Sequence, residues 1–213
     1  MNGKQSLNEE HEHTSMKFLA FTDIHQDKKV FAALLSRAQQ EDIDFVLCAG
    51  DFSTFGRGAA LVLEAFQKLG KKLYLIPGNH EEGQGWDELI AKFPGCVNLH
   101  LQAVEIGKYV FLGYGGGGFA QEDERFRKIA RTWYGLYQEK KIVLVTHGPP
   151  LGTQLDLLDD RHVGNKDYRA FILRINPKLA ISGHLHETVG VTDKLGETQL
   201  VNPGWDGMVI ELK

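Results

Sequence analysis

Five short, nearly all-apolar runs, each ending in a polar residue beside a turn-former, constrain this chain more than any other feature. They are Lys17–Phe21, Asp44–Ala49, Lys72–Ile76, Ile142–Thr146 and Lys178–Ser182, and each has the length of a buried strand. They run into Thr22-Asp23-Ile24-His25, Gly50-Asp51, Pro77-Gly78-Asn79-His80-Glu81, His147-Gly148-Pro149-Pro150 and Gly183-His184-Leu185-His186. Open α/β sheets place their chemistry at the carboxyl edge of such strands.

Helical spacing fills the intervals. Val30, Phe31, Leu34, Leu35 and Ala38 predict a first helix. Ala59–Leu69 predicts a second, with Leu61, Ala65, Phe66 and Leu69 on one face. Trp86, Leu89, Ile90 and Phe93 predict a short helix, and Phe126, Ile129, Ala130, Trp133, Tyr134 and Tyr137 a well-phased one. Tyr168, Phe171, Ile172 and Ile175 mark another. Gln102–Ile106 and Tyr109–Tyr114 form a hairpin about Gly107-Lys108. The stretch 151–165 reads as a loop carrying Asp156, Asp159, Asp160, Arg161 and His162. Val189–Val191, Thr198–Val201 and Met208–Leu212 are the tail's candidate strands. The strand–helix alternation predicts a parallel sheet flanked by helices, an α/β class, and the later hairpins imply a second sheet. Residues 16–213 form a single domain. Gly115–Gly118 reads either as a phosphate cradle, although it lacks the Lys-Ser/Thr of a P-loop, or as a tight passage of backbone near the core.

A net charge of −4 argues against a general nucleic-acid binder. Two cysteines give no disulfide framework, and Cys48 sits in an apolar run as a buried thiol. No apolar run approaches the roughly 18 residues of a membrane span. Residues 1–15 are polar and read as a flexible extension or as upstream sequence ahead of a start at Met16, with His11 and His13 as solvated side chains. The expected location is cytoplasmic.

The strand ends gather Asp23, His25, Asp51, Asn79, His80, His147, His184 and His186, including five of the nine histidines. Oxygen and nitrogen donors of this kind suit Mn, Fe, Zn or Ni. Asp23 and His25, like His184 and His186, are spaced i, i+2, which puts both donors on one side of an extended chain. Setting His80 aside, the remaining seven donors exceed what one ion of this type uses, whereas two ions sharing a carboxylate can use them all. Two divalent cations with two carboxylates leave a positive site, fitted to an anion such as phosphate.

Asp-x-His, Gly-Asp, Gly-Asn-His-Glu, His-Gly-Pro and Gly-His-x-His, in this order over residues 23 to 186, resemble the calcineurin-like metallophosphoesterase family. Pro149-Pro150 and Asn202-Pro203-Gly204 look most like its small single-domain phosphoesterase branch. The resemblance implies a four-layer sandwich of two facing mixed β-sheets flanked by helices. It implies a first metal held by Asp23, His25 and His186, a second by Asn79, His147 and His184, and Asp51 bridging them. It further implies two divalent transition metal ions, Mn favoured for activity, and in-line attack on a phosphodiester or small phosphomonoester by a metal-bridging hydroxide. His80 would assist as general acid or bind the phosphoryl oxygens, making His80, Asp51 and Asn79 the catalytic set. Arg161 and His162, in the loop after the His147 motif, join Asn79 and His80 as expected substrate contacts. Glu81 is either the orienter of an imidazole N–H or a surface salt-bridge partner, and His100 an ordinary sheet histidine. The family's protein phosphatases carry an arginine after Gly-Asp that Phe52-Ser53-Thr54 lacks, which weighs against a phosphoprotein substrate. The expected partner is a small phosphate ester or nucleotide-type molecule. A catalytically silent metal-binding scaffold of the same fold and a nuclease are the competing readings. The complete donor set opposes the first; the acidic balance and the lack of a basic-aromatic stretch oppose the second.

Overall fold

The structure, a computed structural model, describes residues 15–25, 27–83 and 85–213. The expectations for residues 1–14, including His11 and His13, lie outside the described residues. A first sheet has β1 (Met16–Phe21), β2 (Phe45–Cys48), β3 (Leu73–Leu75) and β4 (Cys96–Asn98) side by side and parallel. β13 (Met208–Leu212) runs antiparallel on the outer side of β1. A second sheet has the order β11 (Thr192–Leu195), β12 (Thr198–Val201), β10 (Leu179–Ile181), β7 (Lys141–Thr146), β6 (Tyr109–Tyr114), β5 (Gln102–Ile106). Its four inner strands are parallel and its two edge strands antiparallel. Both sheets are therefore mixed, as expected.

Strict alternation along the strands explains why these runs are apolar on both faces. Phe18, Ala20, Phe45 and Leu47 face Phe111, Val143, Val145 and Ile181 between the sheets. Leu19, Phe21, Val46 and Cys48 point the other way, under α1 (Lys28–Ala38), α2 (Ala59–Lys68) and α3 (Trp86–Ile90). Val110, Leu112, Ile142 and Leu144 do the same beneath α4 (Glu124–Tyr137) and α5 (Lys166–Ile175). The result is a helix–sheet–sheet–helix sandwich. Helix starts are fixed by short polar caps: Asp27 accepts from the N–H groups of Lys29 and Val30, Asp123 from Phe126, and Asn165 from Asp167 and Tyr168. Cys48 and Cys96 are free and buried. Among the described residues no helix is long and apolar enough to cross a membrane.

The structure departs from the expected elements in four places. The buried face of α2 is Ala59, Val62, Leu63 and Phe66, and Leu61 is exposed, because the core takes the i, i+3, i+4, i+7 row starting one residue into the turn after Gly58. β4 is an extra strand, only three residues long. Val189–Val191 is not a strand; the strand of this stretch is β11, which starts only at Thr192. A 3₁₀ turn at His186–Thr188 precedes it, Gly190 is left-handed, and the Val191 N–H turns back to Thr188. The stretch 151–165 is ordered by a 3₁₀ turn at Gln154–Asp156 and a hairpin of β8 (Leu157–Leu158) and β9 (Arg161–His162). The buried Asp156 carboxylate organises it, accepting from the N–H groups of Gly152, Thr153 and Gly164.

Phe111 is fully buried between the sheets, edge-on to Phe18 and Phe45. Phe111→Ala is expected to cost roughly 3–5 kcal/mol. Urea unfolding should show this as a lower midpoint with an unchanged slope.

Candidate metal centre

The carboxyl ends of β1, β2, β3, β7 and β10 meet where the two sheets touch. The His147 Nδ1–H donates to the Ala49 carbonyl at 2.9 Å, the His184 N–H to Asp23 Oδ2 at 2.9 Å, and the Gly116 N–H to the Pro77 carbonyl at 2.9 Å. Each of these bonds joins one sheet to the other. Such close approach of loop to loop, within and between the sheets, needs bare backbone at three points. A Cβ on Gly78 would lie 1.9 Å from Asp51 Oδ1, and one on Gly183 would lie 2.1 Å from the Thr22 hydroxyl oxygen. A Cβ on Gly115 would fall 2.2 Å from the Pro77 carbonyl oxygen, so the glycine run is the tight passage of backbone against the third strand's motif.

Within this junction the eight strand-end residues come together. Asp23, His25 and His186 form one group whose ligand atoms all lie within 4.8 Å of one another; His25, Asp51 and His80 form another, and Asp51, His147 and His184 a third. His147 Nε2 is 3.1 Å from Asn79 Oδ1 and 3.5 Å from Asp51 Oδ2. His25 Nε2 is 3.2 Å from His186 Nε2, and both His25 and His80 lie 4.0 Å from Asp51 Oδ2. Distance alone does not separate His80 from the ligand sets.

Three atoms in the cluster lack what buried polar atoms normally have. Asp23 Oδ1 and His184 Nε2 are buried and without a hydrogen-bond partner among the described residues, and so is His80 Nδ1. A divalent cation would satisfy the first two. The donors are oxygen and nitrogen with no thiolate, and the Ala49 carbonyl fixes the proton on His147 Nδ1 so that Nε2 faces the cluster, the usual outer support of a ligating histidine. The residues fit a divalent transition metal.

The charges in the cluster depend on one another. Burial works against the charged ring of His147, yet Asp51 and Asp23 outweigh it and raise its pKa to about 9. Burial also works against the ionised Asp51, yet the partnership with His147 and the His80 N–H, which donates to Asp51 Oδ1 at 2.9 Å, hold it at about 2. Burial, reinforced by the charge on His147, pushes His184 down to about 4.

Glu81 is neither an imidazole orienter nor a surface ion-pair partner. It is buried, and its carboxylate accepts from the N–H groups of Asp51, Ser53 and Gly78, each at 2.9 Å, and from the Ser53 hydroxyl at 2.5 Å. Its sequence position beside the Gly-Asn-His motif was visible, but its partners are backbone donors, which a sequence does not display. The Asn202-Pro203-Gly204 turn supports the last motif: the Asn202 amide donates to the Leu185 carbonyl and to the Thr188 hydroxyl, while the Gly204 carbonyl accepts from Thr22. His162 and Arg161 do not join the eight. They lie on the β8–β9 hairpin, whose first strand packs on the turn that carries His186, and His162 Nδ1 is bonded to Asp156 at 2.8 Å. His100 Nδ1 accepts from the Gly115 N–H and steadies the glycine run. Three aromatic contacts were not foreseen: Phe55 stacks on His80, Phe119 meets His184 edge-on, and Trp205 does the same to His186.

Two facing mixed sheets with an Asp/His/Asn cluster at their shared carboxyl edge define the class of protein, a metallophosphoesterase-type fold. A model of the calcineurin-like phosphoesterases matches residues 16–188. The chain is 31% identical over 206 residues to an uncharacterized protein of Methanocaldococcus jannaschii, a match covering 88% of each. Its fold is similar to a protein of Thermus thermophilus, with a TM-score of 0.73, 17% identity and 91% of each chain covered. It is also similar to the phosphopantetheinyl hydrolase of Mycobacterium tuberculosis, with a TM-score of 0.66, 14% identity and 89% of each chain covered. The chain belongs to the calcineurin-like phosphoesterase family.

Glu81→Gln should loosen this centre. Both carboxylate oxygens accept backbone N–H bonds, so an amide leaves at least one buried donor unpaired, at a cost of about 1–3 kcal/mol. The expected result is a lower melting temperature together with weaker metal uptake. Metal uptake at pH 7 is also expected to release about one proton, because His147 is charged below about 9 and a ligand must be neutral, whereas His184 is already neutral. Affinity then rises with pH up to about 9 and levels off above it. Calorimetry in two buffers of different ionisation enthalpy measures the release; identical heats in both would contradict it.

Proposed function

We propose that this chain is a metal-dependent phosphoesterase acting on a phosphodiester or small phosphomonoester. In this reading Asp23, His25 and His186 hold one divalent transition metal ion, Asn79, His147 and His184 hold a second, and Asp51 is shared. The observation that carries it is the pair of buried, unpartnered ligand atoms, Asp23 Oδ1 in the one set and His184 Nε2 in the other. When bound, two such ions supply positive charge for the phosphoryl oxygens and make a water acidic enough to attack at neutral pH.

The chain's own residues do the rest. Asp51 is held rigidly, its N–H by Glu81 and its Oδ1 by the His80 N–H. Asn79 offers an uncharged oxygen, which preserves the positive balance that an anionic substrate needs. His80 reaches the rim of the cluster, partly exposed, with its Nε2 toward Asp51. From there a protonated ring can donate to the departing alkoxide, a group that leaves poorly without a proton. This favours diesters modestly over monoesters. Manganese is the expected activating ion, one of several that an N/O donor set accommodates.

Purified protein is expected to hold two transition metal ions per chain and, with added Mn, to cleave a generic activated phosphodiester. His80→Ala should retain both ions, counted by elemental analysis, while losing roughly 10²–10⁴ in turnover. Loss of metal in that variant would make His80 a ligand instead. A fully loaded wild type that is inactive over a broad panel of mono- and diesters would favour a binding scaffold.

A further inference from the structure

No hydrogen bond among the described residues orients the ring of His80. Its backbone N–H is fixed on Asp51 Oδ1 at 2.9 Å, but that leaves the side-chain torsions open. Ring atom Nδ1 is buried without a partner, and Nε2 is 4.0 Å from Asp51 Oδ2, beyond hydrogen-bond reach. His147, by contrast, has its ring held by the Ala49 carbonyl at 2.9 Å. A general acid has to present its proton along a narrow line to the leaving oxygen, so something other than a hydrogen bond must set this ring.

Ring contacts take that place. Phe55 lies face to face with His80, ring centroids 4.2 Å apart and planes 16° from parallel, and His25 meets it tilted at 4.7 Å. His25 belongs to a group of candidate ligands, whereas Phe55 has no atom to offer an ion. Folding alone does not account for Phe55. It is 64% exposed, so it forfeits the burial that core phenylalanines gain, and its φ of +51° is an outlier for a bulky residue. Glycine would take that conformation without strain, as the neighbouring Gly56 and Gly58 do at φ +75° and +70°. Such strain persists only where neighbours over-determine it, and here they belong to the centre. The Thr54 hydroxyl donates to the His25 carbonyl at 3.2 Å, and the Ser53 hydroxyl donates to Glu81 while accepting from the Gly56 N–H at 3.1 Å. The Arg57 N–H closes the turn on the Thr54 carbonyl. The loop thus spends strain and exposure on laying one flat ring against one histidine.

We propose that Phe55 is the positioning residue of His80: its ring face holds the imidazole plane so that the proton points at the departing oxygen, the task a hydrogen bond performs for His147. This rests on the phosphoesterase reading above. Phe55 touches neither substrate nor ion in this role and acts only through His80. Its effect therefore depends on the leaving group. An alkoxide leaves poorly without a proton and needs the aligned ring, whereas a nitrophenolate leaves unaided and does not.

The test is turnover by the Mn-loaded protein of a series of phosphodiesters whose leaving groups run from nitrophenol to an aliphatic alcohol. Phe55→Gly, which suits the backbone, should keep both ions and melt close to wild type. It should slow the aliphatic esters roughly tenfold or more and the nitrophenyl ester by less than about twofold, so that rate falls more steeply with leaving-group basicity. Phe55→Tyr, which keeps the flat face, should restore the wild-type dependence. In a His80→Ala background Phe55→Gly should have no further effect, because the two act as one unit. An equal loss across the series, a loss that persists without His80, or no loss at all overturns the positioning role and leaves the phosphoesterase reading standing. If wild type carrying two ions cleaves no ester of the series, the phosphoesterase reading falls and the positioning role with it.

Discussion

The two carboxylate oxygens of Glu81, 1% exposed, take the N–H groups of Asp51, Ser53 and Gly78 together with the Ser53 hydroxyl. A buried carboxylate is expensive unless its lone pairs are used, and these are. Burial pushes its pKa up, while the Ser53 hydroxyl and the backbone donors pull it back. The trade works because β2 and β3 have ended, so these N–H groups have no strand to bond to and would otherwise be buried donors without partners. One side chain therefore ties together the two loops that carry Asp51, Asn79 and His80. It also fixes Ser53, and through it the turn bearing Phe55.

Joining the two sheets is a matter of backbone proximity. Parallel strands deliver every motif to the same edge, and the glycines at 78, 115 and 183 let one loop lie directly on another. Side-chain donors then face inward from both sheets, and their charges compensate across the gap. Asp51 and His147 each support the other's ionised form, although burial disfavours both. Removing one charge from such a pair would strand the other in a low-dielectric junction, which is why single deletions in buried pairs cost more than the pair contributes.

Much of this was legible in the sequence. Gln102–Ile106, Tyr109–Tyr114, Thr198–Val201 and Met208–Leu212 appear with the expected ends, because period-2 patterns and glycine turns act locally. The eight polar residues could be assembled because each closes an apolar run, and parallel strands have only one carboxyl edge. The rest depends on interactions that residue types do not encode. Glu81 was ambiguous since its partners are amide groups. The phase of α2 was set by the sheet beneath it, not by its own composition, which has apolar residues all round. The stretch 151–165 reads as a loop from its sequence because its order comes from one carboxylate, Asp156, gathering backbone donors. Arg161 and His162 read as neighbours of the centre by their nearness in sequence to His147, yet the hairpin gives His162 a partner of its own.

Backbone strain links the fold to the site's readiness. Asp23, His25, Asp51 and His184 all have positive φ, a region that Asp and His tolerate better than most residues but that still costs of order 1–3 kcal/mol each. Such strain persists only where neighbours over-determine it. Here the Asp23 N–H is bonded to the Gly50 carbonyl, the His25 N–H to the Asp51 carbonyl, and the His184 N–H to Asp23 Oδ2. The strained residues thus hold one another, each motif's backbone anchored by the next. A cluster fixed this way holds its donors converged, so little conformational freedom remains to be lost when an ion binds. The same loops carry Phe55 and Phe119, so both rings are positioned by the scaffold that positions His80 and His184.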